Sequence, residues 1–403
     1  MMGHRHLVVA YNFPPFADAS AVTQAKRVAA EGRQVDVVSQ DLTGLRRRDD
    51  TLLGLVSPFL DHHDTISGRP QFLAWPSLRQ FTTRGMRRLS ARGPLTRYAT
   101  VRSRSMWPHS HVLAAMVKVM HPHVEWLAEF SDPLLHRVDG SHRPSPALPD
   151  DDAVLRRLLR SLPAPYRDFL HSGGEMLHLI QALPFGLADR LVFTNEQQRT
   201  VMLEDLGNDR MATAAEARSE ISPHPTPPAH WVAEPPSRPH TDQRLCCIGY
   251  FGTLYANRGL GAVTEAIRLL PPELRSRLRI DVHTEQRARS YAQVQRCGVD
   301  DVIRIRSALP YTQFLQEAGS YDHLLVTDTQ TGGFSVANPF LPSKVSDYEG
   351  TRANVLSLVV PGSELDRRGY RPSAQVDDVV SIRDALAEAV GTSADVSRSA
   401  AWT

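Results

Sequence analysis

Compact apolar runs alternate with amphipathic segments along the first forty residues. The run "HLVVAY" (residues 6–11) predicts a strand that is buried on both faces, and the loop "NFPPFADAS" follows it. Over residues 21–30 small apolar side chains recur at helical spacing, and Gly32 is placed to end that helix. "QVDVVSQ" then predicts a second strand. This order of strand, helix and strand is typical of a parallel α/β sheet with right-handed crossovers.

The same pattern returns after a proline-rich break. "HVEWLAEF" and "ADRLVFTN" are further apolar runs before the break, which has seven prolines between Pro223 and Pro239. Beyond it, "LCCIGYFG" predicts a strand, "GAVTEAIRLL" a helix, and "RIDVHT" and "HLLVTDT" two more strands. A stretch so rich in proline cannot continue a helix or a central strand, so it is predicted to connect two domains.

We therefore predict an α/β protein with two Rossmann-like domains in tandem. The N-terminal domain spans residues 1–222 and carries a basic insertion at about 62–124. Residues 223–243 form the proline-rich linker, and residues 244–375 form the C-terminal domain. Residues 376–403 form a terminal helix and tail.

Composition places the chain among soluble globular proteins. Hydrophobic residues make up 41% and charged residues 22%, and the net charge of +2 argues against a general nucleic-acid binder. Three cysteines are too few for a disulfide framework, which favours a reducing, cytoplasmic setting. The apolar run near the N-terminus is short, and nowhere do eighteen apolar residues run together. We therefore expect neither a signal peptide nor a membrane-spanning helix.

The basic residues are unevenly distributed. Between Asp64 and Glu125 there is no acidic residue, whereas nine arginines and Lys118 fall inside this stretch, with aromatic residues interleaved. Basic and aromatic side chains together suit a phosphorylated acceptor or an anionic lipid surface, and the second would bring the protein into peripheral contact with the inner face of a membrane. The alternative is a solvated helical face in a protein whose arginines reflect a GC-rich genome.

Candidate chemistry begins with "GYFGTLYANRGLGAVTEAI" in the predicted C-terminal domain. Glycines stand at the end of a strand, Arg258 follows them, and a helix begins just beyond. Ligands of open α/β sheets bind outside the carboxyl ends of the strands, where free N–H groups at a helix start and a guanidinium group favour a phosphate. The alternative is purely structural, because every fold of this kind needs a junction of strand, glycine and helix.

A second candidate lies in "NPFLPSKVSDYEG". A loop with two prolines delivers Ser343 and Lys344 to the start of a predicted helix, and Asp347 follows one turn later. A hydroxyl, an ammonium group and a carboxylate at this spacing suit the phosphate and the ribose hydroxyls of a nucleotide. The alternative is an N-cap at Ser343, with Asp347 stabilised by the helix dipole.

Taken together, these motifs resemble the retaining glycosyltransferases of GT-B fold, specifically the family-4 type. The resemblance rests on the glycine loop, the basic residue before "GL", the later "PSKVSDY" and the strand "NVLSLVV". It extends to "VVAYNFPP", "WLAEFSDPLL" and "RLVFTNEQQRTVML" and covers most of the chain except residues from about 44 to 120. It implies two Rossmann-like domains that face each other across a cleft.

By this resemblance Arg258 neutralises the donor diphosphate, Lys344 assists it, and Asp347 stands where the family has a glutamate that binds the ribose hydroxyls. These two basic residues, with Asp132, are the catalytic candidates. The donor-binding positions are Gly252 and Thr253 beside the phosphates, Leu309 and Pro310 at the nucleobase, and Asn338, Ser343, Lys344, Asp347 and Arg258.

The acceptor side is implied to lie in the N-terminal domain. It comprises the loop after the first strand and Asp132 of "FSDP", which the resemblance places near the acceptor or the transferred sugar. The loop residues concerned are Pro14, Pro15, Phe16 and Asp18.

The chain also departs from the family. Many relatives carry a second glutamate eight positions before the one at Asp347, where this chain has Pro339, and many have an arginine at Thr253. Asn338 or backbone amides of the loop are then expected to supply the missing contact to the sugar. In the first loop, "FADAS" stands where relatives often have paired glycines.

The resemblance implies a metal-independent hexosyltransferase that needs no cofactor and retains the anomeric configuration. The donor is a sugar linked to UDP, GDP or dTDP, and the acceptor is a small molecule or a lipid-linked one. The alternatives are a sugar-nucleotide epimerase or hydrolase of the same fold, or a non-catalytic protein that binds a nucleotide sugar. The clusters "HPH" and "HSH" lack a matching carboxylate, so we expect no metal site.

Overall fold

A computed structural model describes residues 5–232, 245–252 and 260–400 of the chain, with the side chains of residues 171–173 and 393–400 left outside the description. The chain divides into two compact units, Met1–Pro225 and Thr226–Thr403. Residues 233–243 of the predicted linker lie outside the described ranges, as do two predicted site residues, Thr253 and Arg258. No helix within these ranges is long and apolar enough to cross a membrane.

The first unit is built on a parallel sheet of seven strands, with the order β3-β2-β1-β4-β5-β6-β7. The strands are β1 (Arg5–Val9), β2 (Val35–Gln40), β3 (Leu60–Ile66), β4 (Tyr98–Arg104), β5 (Glu125–Glu129), β6 (Arg190–Phe193) and β7 (Ser219–Ile221). The helices are α1 (Ala19–Glu31), α2 (Asp50–Val56), α3 (Trp75–Ala91), α4 (His109–Met120), α5 (Ala153–Ser161), α6 (Ala164–Gly173), α7 (Met176–Leu187), α8 (Glu196–Glu204) and α9 (Asp209–Glu216).

The predicted start of this unit is confirmed. The apolar run becomes β1, whose last three residues are buried, and the helix predicted over residues 21–30 is α1. Asp18 caps the N-terminus of α1, accepting hydrogen bonds from the amides of Ser20 and Ala21. Gly32 ends the helix with a φ of 63°, the left-handed conformation that favours glycine.

The basic stretch is not an insertion into this unit, so that prediction is wrong. Residues 62–124 form most of β3, all of α3, β4 and α4, and the loop that precedes β5. Strand β4 pairs with β1 at the centre of the sheet. The stretch gives no clear strand pattern, because its strands "YATVRSR" and "LDHHDTI" are mostly polar and lack a regular alternation of apolar and polar positions. Both strands nevertheless pair in parallel with their neighbours, with one register shift in each pairing, at Arg5/His6 and at Val35/Asp36. Tertiary packing therefore outweighs the weak local strand signal.

The second unit has a parallel sheet of six strands in the order β10-β9-β8-β11-β12-β13. The strands are β8 (Cys246–Phe251), β9 (Leu278–Thr284), β10 (Ile303–Ser307), β11 (His323–Thr327), β12 (Asn354–Val359) and β13 (Ser373–Gln375). The helices are α10 (Gly261–Arg268), α11 (Pro272–Arg275), α12 (Arg287–Cys297), α13 (Tyr311–Ala318), α14 (Lys344–Tyr348), α15 (Glu364–Arg367) and α16 (Val379–Ala400).

Each unit has its own hydrophobic core. In the first, aromatic and aliphatic side chains from β1, β4, β5 and β6 pack against α3, α4 and α7. In the second, β8, β9 and β12 pack against α10 and the C-terminal helix α16. The chain is thus an α/β protein of two Rossmann-like units, as the sequence predicts.

Candidate functional site

Both sheets have a point at which the strand order reverses direction. In the second unit β8 lies between β9 and β11, and in the first unit β1 lies between β2 and β4. The loops that leave the two central strands at such a point diverge to opposite faces, which opens a crevice at the carboxyl edge of the sheet. Residues after β8 and β11, and those after β1 and β4, are therefore the positions to examine for a ligand site.

At the switch point of the second unit, Gly252 and Lys344 are in contact. Gly252 follows β8 directly and has a φ of 131°, and a Cβ at this position would overlap Lys344 Nζ. The ammonium group also lies 5.5 Å from the centre of the Tyr250 ring. Lys344 belongs to the segment after β11, so two predicted donor residues from neighbouring strands of the switch point are brought together. A cation beside an open glycine backbone suits a phosphate.

Asp347 lies one turn beyond Lys344 and is buried. Its Oδ1 accepts a hydrogen bond of 2.8 Å from the hydroxyl of Tyr311, the first residue of α13. Burial first, and the Asp347 carboxylate second, raise the pKa of Tyr311 well above its ordinary value, so the hydroxyl keeps its proton. Pro310 precedes this tyrosine and takes the N-cap position of α13. The hydrogen bond of Tyr311 therefore links the predicted nucleobase loop, Leu309 and Pro310, to Asp347, the predicted ribose-binding carboxylate.

Two residues that the sequence analysis did not single out, His283 and Tyr348, hold the end of β8 and Gly252 in place. The amide of Gly252 donates to the carbonyl oxygen of His283 at 2.8 Å, and the amide of Phe251 donates to Tyr348 Oη at 3.4 Å. The ring of Phe251 stacks on that of His283, with 4.4 Å between centroids. Tyr348 directly follows Asp347 in the motif, but the importance of His283 has no local signal in the sequence.

Two other predicted donor residues have mainly local contacts. Asn338 is fully buried, and its amide group donates to the carbonyl oxygen of Thr329 at 3.3 Å and accepts from the amide of Phe340 at 2.9 Å. Ser343 takes the N-cap position of α14 but makes no capping hydrogen bond with its side chain. Because α14 has only five residues, its dipole is too small to bind an anion by itself. The proposed phosphate site therefore depends on the charge of Lys344.

In the first unit, the loop after β1 holds the predicted acceptor residues. The Pro14–Pro15 peptide bond is cis, and Phe16 is buried and forms a backbone bridge with Arg48. Besides capping α1, Asp18 accepts hydrogen bonds from Asn12 Nδ2 at 2.6 Å and from Arg46 Nε at 3.2 Å. Both oxygens of Asp18 therefore hold the loop in place.

An aromatic cluster occupies the switch point of the first unit. The ring of Tyr11, just after β1, stacks on Trp107, just after β4, at 4.8 Å, and lies 4.0 Å from the ring of His109. Phe72 meets Trp107 edge-on at 5.4 Å. Burial raises the pKa of Tyr11 to about 12, which keeps its hydroxyl neutral. Aromatic rings therefore lie at the switch point of the first unit, whereas a cation, Lys344, lies at the switch point of the second.

Asp132 lies beside this cluster, three residues after β5, and lines a pocket. The pocket is walled mainly by apolar side chains from the segments after β4 and β5 and from α7. Within the described ranges, the Asp132 carboxylate makes no hydrogen bond or ion pair. The lining residues are Phe72, Ser105, Met106, Pro108, Ser131, Asp132, Pro133, Leu134, Arg143, Leu177 and Ile180.

Most of the charge in the basic stretch is neutralised by acidic residues from other parts of the chain. Of its ten basic side chains, six lie within ion-pair distance of a carboxylate, and Arg87 and Arg88 on the exposed face of α3 have no such partner among the described residues. The pairs are Arg79–Asp152, Arg92–Asp64, Arg97–Asp36, Arg102–Glu31, Arg104–Glu129 and Lys118–Asp189.

The most buried of these pairs is Arg104–Glu129, at the carboxyl ends of β4 and β5. Arg27 of α1 lies 3.4 Å from the same carboxylate, and Arg104 lies 3.0 Å from His224 Nε2. Burial alone would raise the pKa of Glu129, but the neighbouring guanidinium groups outweigh burial and lower it to about 2. Arg27 also donates to the carbonyl oxygens of Ser222 and Pro223, so this network fixes the start of the proline-rich segment.

The histidines of "HSH" are internal. His109 Nε2 lies 3.0 Å from Ser77 Oγ, and His111 Nδ1 lies 2.7 Å from Ser103 Oγ. Burial lowers the pKa of both histidines to about 3. In the part of the chain that the structure describes, no three His, Cys, Asp or Glu side chains are grouped to hold a metal ion.

Solved structures of similar fold cover nearly the whole chain. The chain resembles the catalytic domain of starch synthase IV from Arabidopsis thaliana, bound to ADP and acarbose, with a TM-score of 0.61 and 9% identity over 97% of this chain and 92% of that one. HepE from Anabaena, in complex with UDP-glucose, resembles it with a TM-score of 0.56 and 10% sequence identity, over 97% of this chain and 95% of HepE. A UDP-N-acetylglucosamine 2-epimerase resembles it with a TM-score of 0.52 and 13% sequence identity, over 95% of this chain and 86% of the epimerase.

No protein-family model matches the sequence, and no match is found among curated proteins. The structural likeness nevertheless defines the fold. The chain has the GT-B fold, with two Rossmann-like units whose parallel sheets have seven and six strands.

Proposed function

We propose that this protein is a glycosyltransferase, of hexosyltransferase type, that moves a sugar from a nucleotide-diphosphate sugar to an acceptor hydroxyl with retention of configuration. The observation that carries the proposal is the contact of Lys344 with Gly252 at the switch point of the second unit. A cation, an open backbone and the hydrogen-bonded Asp347 carboxylate lie together where ligands of such sheets bind. The resemblance to family-4 enzymes in the same motifs supports this choice.

The proposed reaction asks little covalent chemistry of the protein. The bond between the anomeric carbon and the diphosphate oxygen breaks, and a bond from that carbon to the acceptor oxygen forms on the same face. The acceptor proton passes to the departing diphosphate oxygen, so neither a metal nor a cofactor is required. Lys344, assisted by Arg258 as the resemblance implies, stabilises the negative charge that develops on the diphosphate. Asp347 accepts hydrogen bonds from the ribose hydroxyls.

Binding of nucleotides is the first test. The neighbours crystallised with UDP-glucose and with ADP support a nucleotide-diphosphate donor, and UDP, GDP and dTDP sugars are the candidates. A ligand at a hundred times its Kd stabilises the folded state by about 2.7 kcal/mol, which a thermal-shift panel of these sugars detects easily. Absence of stabilisation by every nucleotide sugar would contradict the proposed donor site.

Turnover is the second test. We expect Lys344→Ala and Arg258→Ala each to lower turnover at least about tenfold, because each removes a cation from the developing charge. Arg296→Ala is the matched control, since Arg296 is exposed in the last turn of α12, at the end of the helix away from the carboxyl edge of the sheet. Near-normal rates in both site variants, with the control unchanged, would contradict the phosphate assignment.

A second candidate is a sugar-nucleotide epimerase or hydrolase. The likeness to UDP-N-acetylglucosamine 2-epimerase favours it, and so does Pro339 at the position where many glycosyltransferases of this type have a glutamate. Nucleoside diphosphate released only in the presence of an acceptor supports transfer, whereas release or isomerisation without one supports the second candidate. Nucleotide binding without any turnover would identify a non-catalytic binding protein.

A further inference from the structure

The buried side chain of His283, next to last in β9, contacts the ends of both neighbouring strands, β8 and β10. We propose that its imidazole ring is a positioning residue of the donor site, which couples the glycine at the phosphate position to the loop at the nucleobase position. This inference rests on the proposed function, which supplies the nucleotide. It goes further by naming a side chain outside the motifs that holds both parts of the site.

On one side, the imidazole ring packs against the strand that leads to Gly252. It stacks on the ring of Phe251, the last residue of β8, with 4.4 Å between centroids and 11° between planes. The backbone of His283 adds to this contact, because its carbonyl oxygen accepts the 2.8 Å hydrogen bond from the Gly252 amide. Gly252 in turn contacts Lys344, the cation of the proposed phosphate site. We therefore expect a shift of the imidazole to move Phe251 and the glycine that follows it.

On the other side, the ring is hydrogen-bonded to the strand that leads to the predicted nucleobase loop. Its Nδ1 lies 3.2 Å from the carbonyl oxygen of Ser307, the last residue of β10. Only Ala308 separates this serine from Leu309 and Pro310. Because a carbonyl oxygen can only accept a hydrogen bond, Nδ1 must carry a proton and donate it. One imidazole therefore contacts the segments before the phosphate position and before the nucleobase position.

The second ring nitrogen is held by a buried tyrosine. His283 Nε2 lies 2.9 Å from the hydroxyl of Tyr321, and this hydroxyl lies 3.2 Å from Asp281 Oδ2. Asp281 has a further partner, because Arg306 of β10 lies 3.5 Å from its carboxylate. The single proton of the tyrosine hydroxyl can therefore go to Nε2, which is an acceptor when Nδ1 carries the ring proton. Burial lowers the pKa of His283, so the ring is neutral and keeps this tautomer at neutral pH.

Amide hydrogen exchange of the full-length protein without nucleotide tests the coupling itself. We expect His283→Ala to speed exchange about tenfold in the peptides that contain Gly252 and Leu309, with exchange in β12 unchanged. His323→Ala is the matched control, because His323 is equally buried but is the first residue of β11, at the amino edge of the same sheet. It should leave both loops unchanged. Faster exchange at only one of the two loops in His283→Ala, or at neither, would overturn the coupling.

Ligand binding then tests the role at the site. The probes are UDP, GDP, dTDP and inorganic pyrophosphate, titrated calorimetrically at a temperature at which every variant is folded. We expect His283→Ala to weaken the tightest-binding nucleotide about tenfold and pyrophosphate only about threefold, because pyrophosphate has no base and uses the phosphate side alone. Tyr321→Phe removes the partner of Nε2 and should weaken nucleotide binding about threefold. His323→Ala should leave every Kd unchanged, and an unchanged Kd in His283→Ala would overturn the positioning role.

A conservative variant separates positioning from packing. The side chain of asparagine carries an N–H group close to the position of Nδ1, so His283→Asn can still donate to the carbonyl oxygen of Ser307. Its nucleotide Kd should lie between the values of wild type and His283→Ala. His283→Leu fills the space of the ring but donates no hydrogen bond, so it should bind as weakly as the alanine variant. Equal affinities of the asparagine and leucine variants would contradict the hydrogen-bonded role.

The outcome is separable from that of the proposed function. If wild type binds a nucleotide and His283→Ala binds it as tightly, the positioning role alone is contradicted. If wild type binds none of the probes, the donor site is contradicted, whereas hydrogen exchange still decides whether His283 couples the two loops.

Discussion

The two units share a topology but use their switch points differently. In the second unit, Lys344 and Gly252 create a cationic, open backbone position beside the Asp347 carboxylate. In the first unit, the corresponding crevice is filled by the rings of Tyr11 and Trp107 next to an apolar pocket. The topology therefore decides where a ligand binds, and the side chains that follow the central strands decide which ligand it is.

The comparison also separates two kinds of basic residue. The first unit contains many arginines that are close in sequence, but most of them meet carboxylates that come from elsewhere in the chain. In the second unit a single lysine, half-buried at the switch point, is the stronger functional candidate. A run of like charges in a sequence is thus weak evidence for an anionic partner until its tertiary neighbours are known.

Breaking the Arg104–Glu129 pair should have the largest effect on stability. Arg104→Ala leaves a buried carboxylate with less compensation, which we expect to lower the free energy of unfolding by about 3 kcal/mol. Arg87→Ala, on the exposed face of α3, should change it by less than about 0.5 kcal/mol. Urea unfolding measures both, and equal effects would contradict the distinction between structural and exposed arginines.

The same pair predicts a pH dependence of stability. Arg27 first, and then Arg104 and Arg102, lower the pKa of Glu129 from 4.5 to about 2 against the effect of burial, so this charge cluster stabilises the folded state fully above about pH 4.5. Its contribution is lost as the pH falls through about 2, because the carboxylate then takes up a proton in the folded state. We expect the stability difference between wild type and Arg104→Ala to shrink from pH 6 to pH 3. A difference that stays constant with pH would contradict the assigned ion pair.

The contact between Gly252 and Lys344 can be tested by a double-mutant cycle. A Cβ at Gly252 displaces the ammonium group, so Gly252→Ala should weaken nucleotide binding about as much as Lys344→Ala does, roughly tenfold. In the Lys344→Ala background, Gly252→Ala should add little further loss. Calorimetric titration of the four proteins measures the coupling, and fully additive losses would show that the two residues act separately.

Tyr311 is expected to position Asp347, with a smaller effect. Tyr311→Phe removes the 2.8 Å hydrogen bond, which should weaken nucleotide affinity about fivefold while the apolar ring preserves the packing. Tyr291→Phe is the control, because Tyr291 is exposed on α12. Calorimetric titration with the best donor checks the result, and an unchanged Kd would exclude a positioning role.

The smallest effect is expected from the exposed arginines of α3. If Arg87 and Arg88 touch an anionic membrane, the variant with both changed to alanine should bind phosphatidylserine vesicles several-fold more weakly, with the difference vanishing at high salt. Arg92 is left unchanged, because it pairs with Asp64. Equal binding by wild type and variant would leave these side chains as a solvated helical face.

Sequence reasoning worked best where signals are local. The strands β1 and β8 and the C-cap of α1 at Gly32 follow from residues close in sequence, because apolar periodicity and glycine positions act over one or two turns of chain. The contact between Gly252 and Lys344 joins residues far apart in sequence, and the tertiary structure brings them together. Sequence reasoning failed for β3, α3 and β4, whose polar positions gave no clear strand pattern.

The sequence by itself determined the class of fold, the break between the two halves and the motif that contains Lys344 and Asp347, the residues of the proposed donor site. These features depend on local backbone preferences and on short spacings that a linear pattern preserves. Only the tertiary structure decided which charges remain for a ligand, because the carboxylates that pair with Arg92, Arg102 and Arg104 lie 25 to 71 positions away. Long-range packing, which the order of residues does not display, pairs six of the ten basic side chains with carboxylates and leaves others, such as Arg87 and Arg88, exposed on α3.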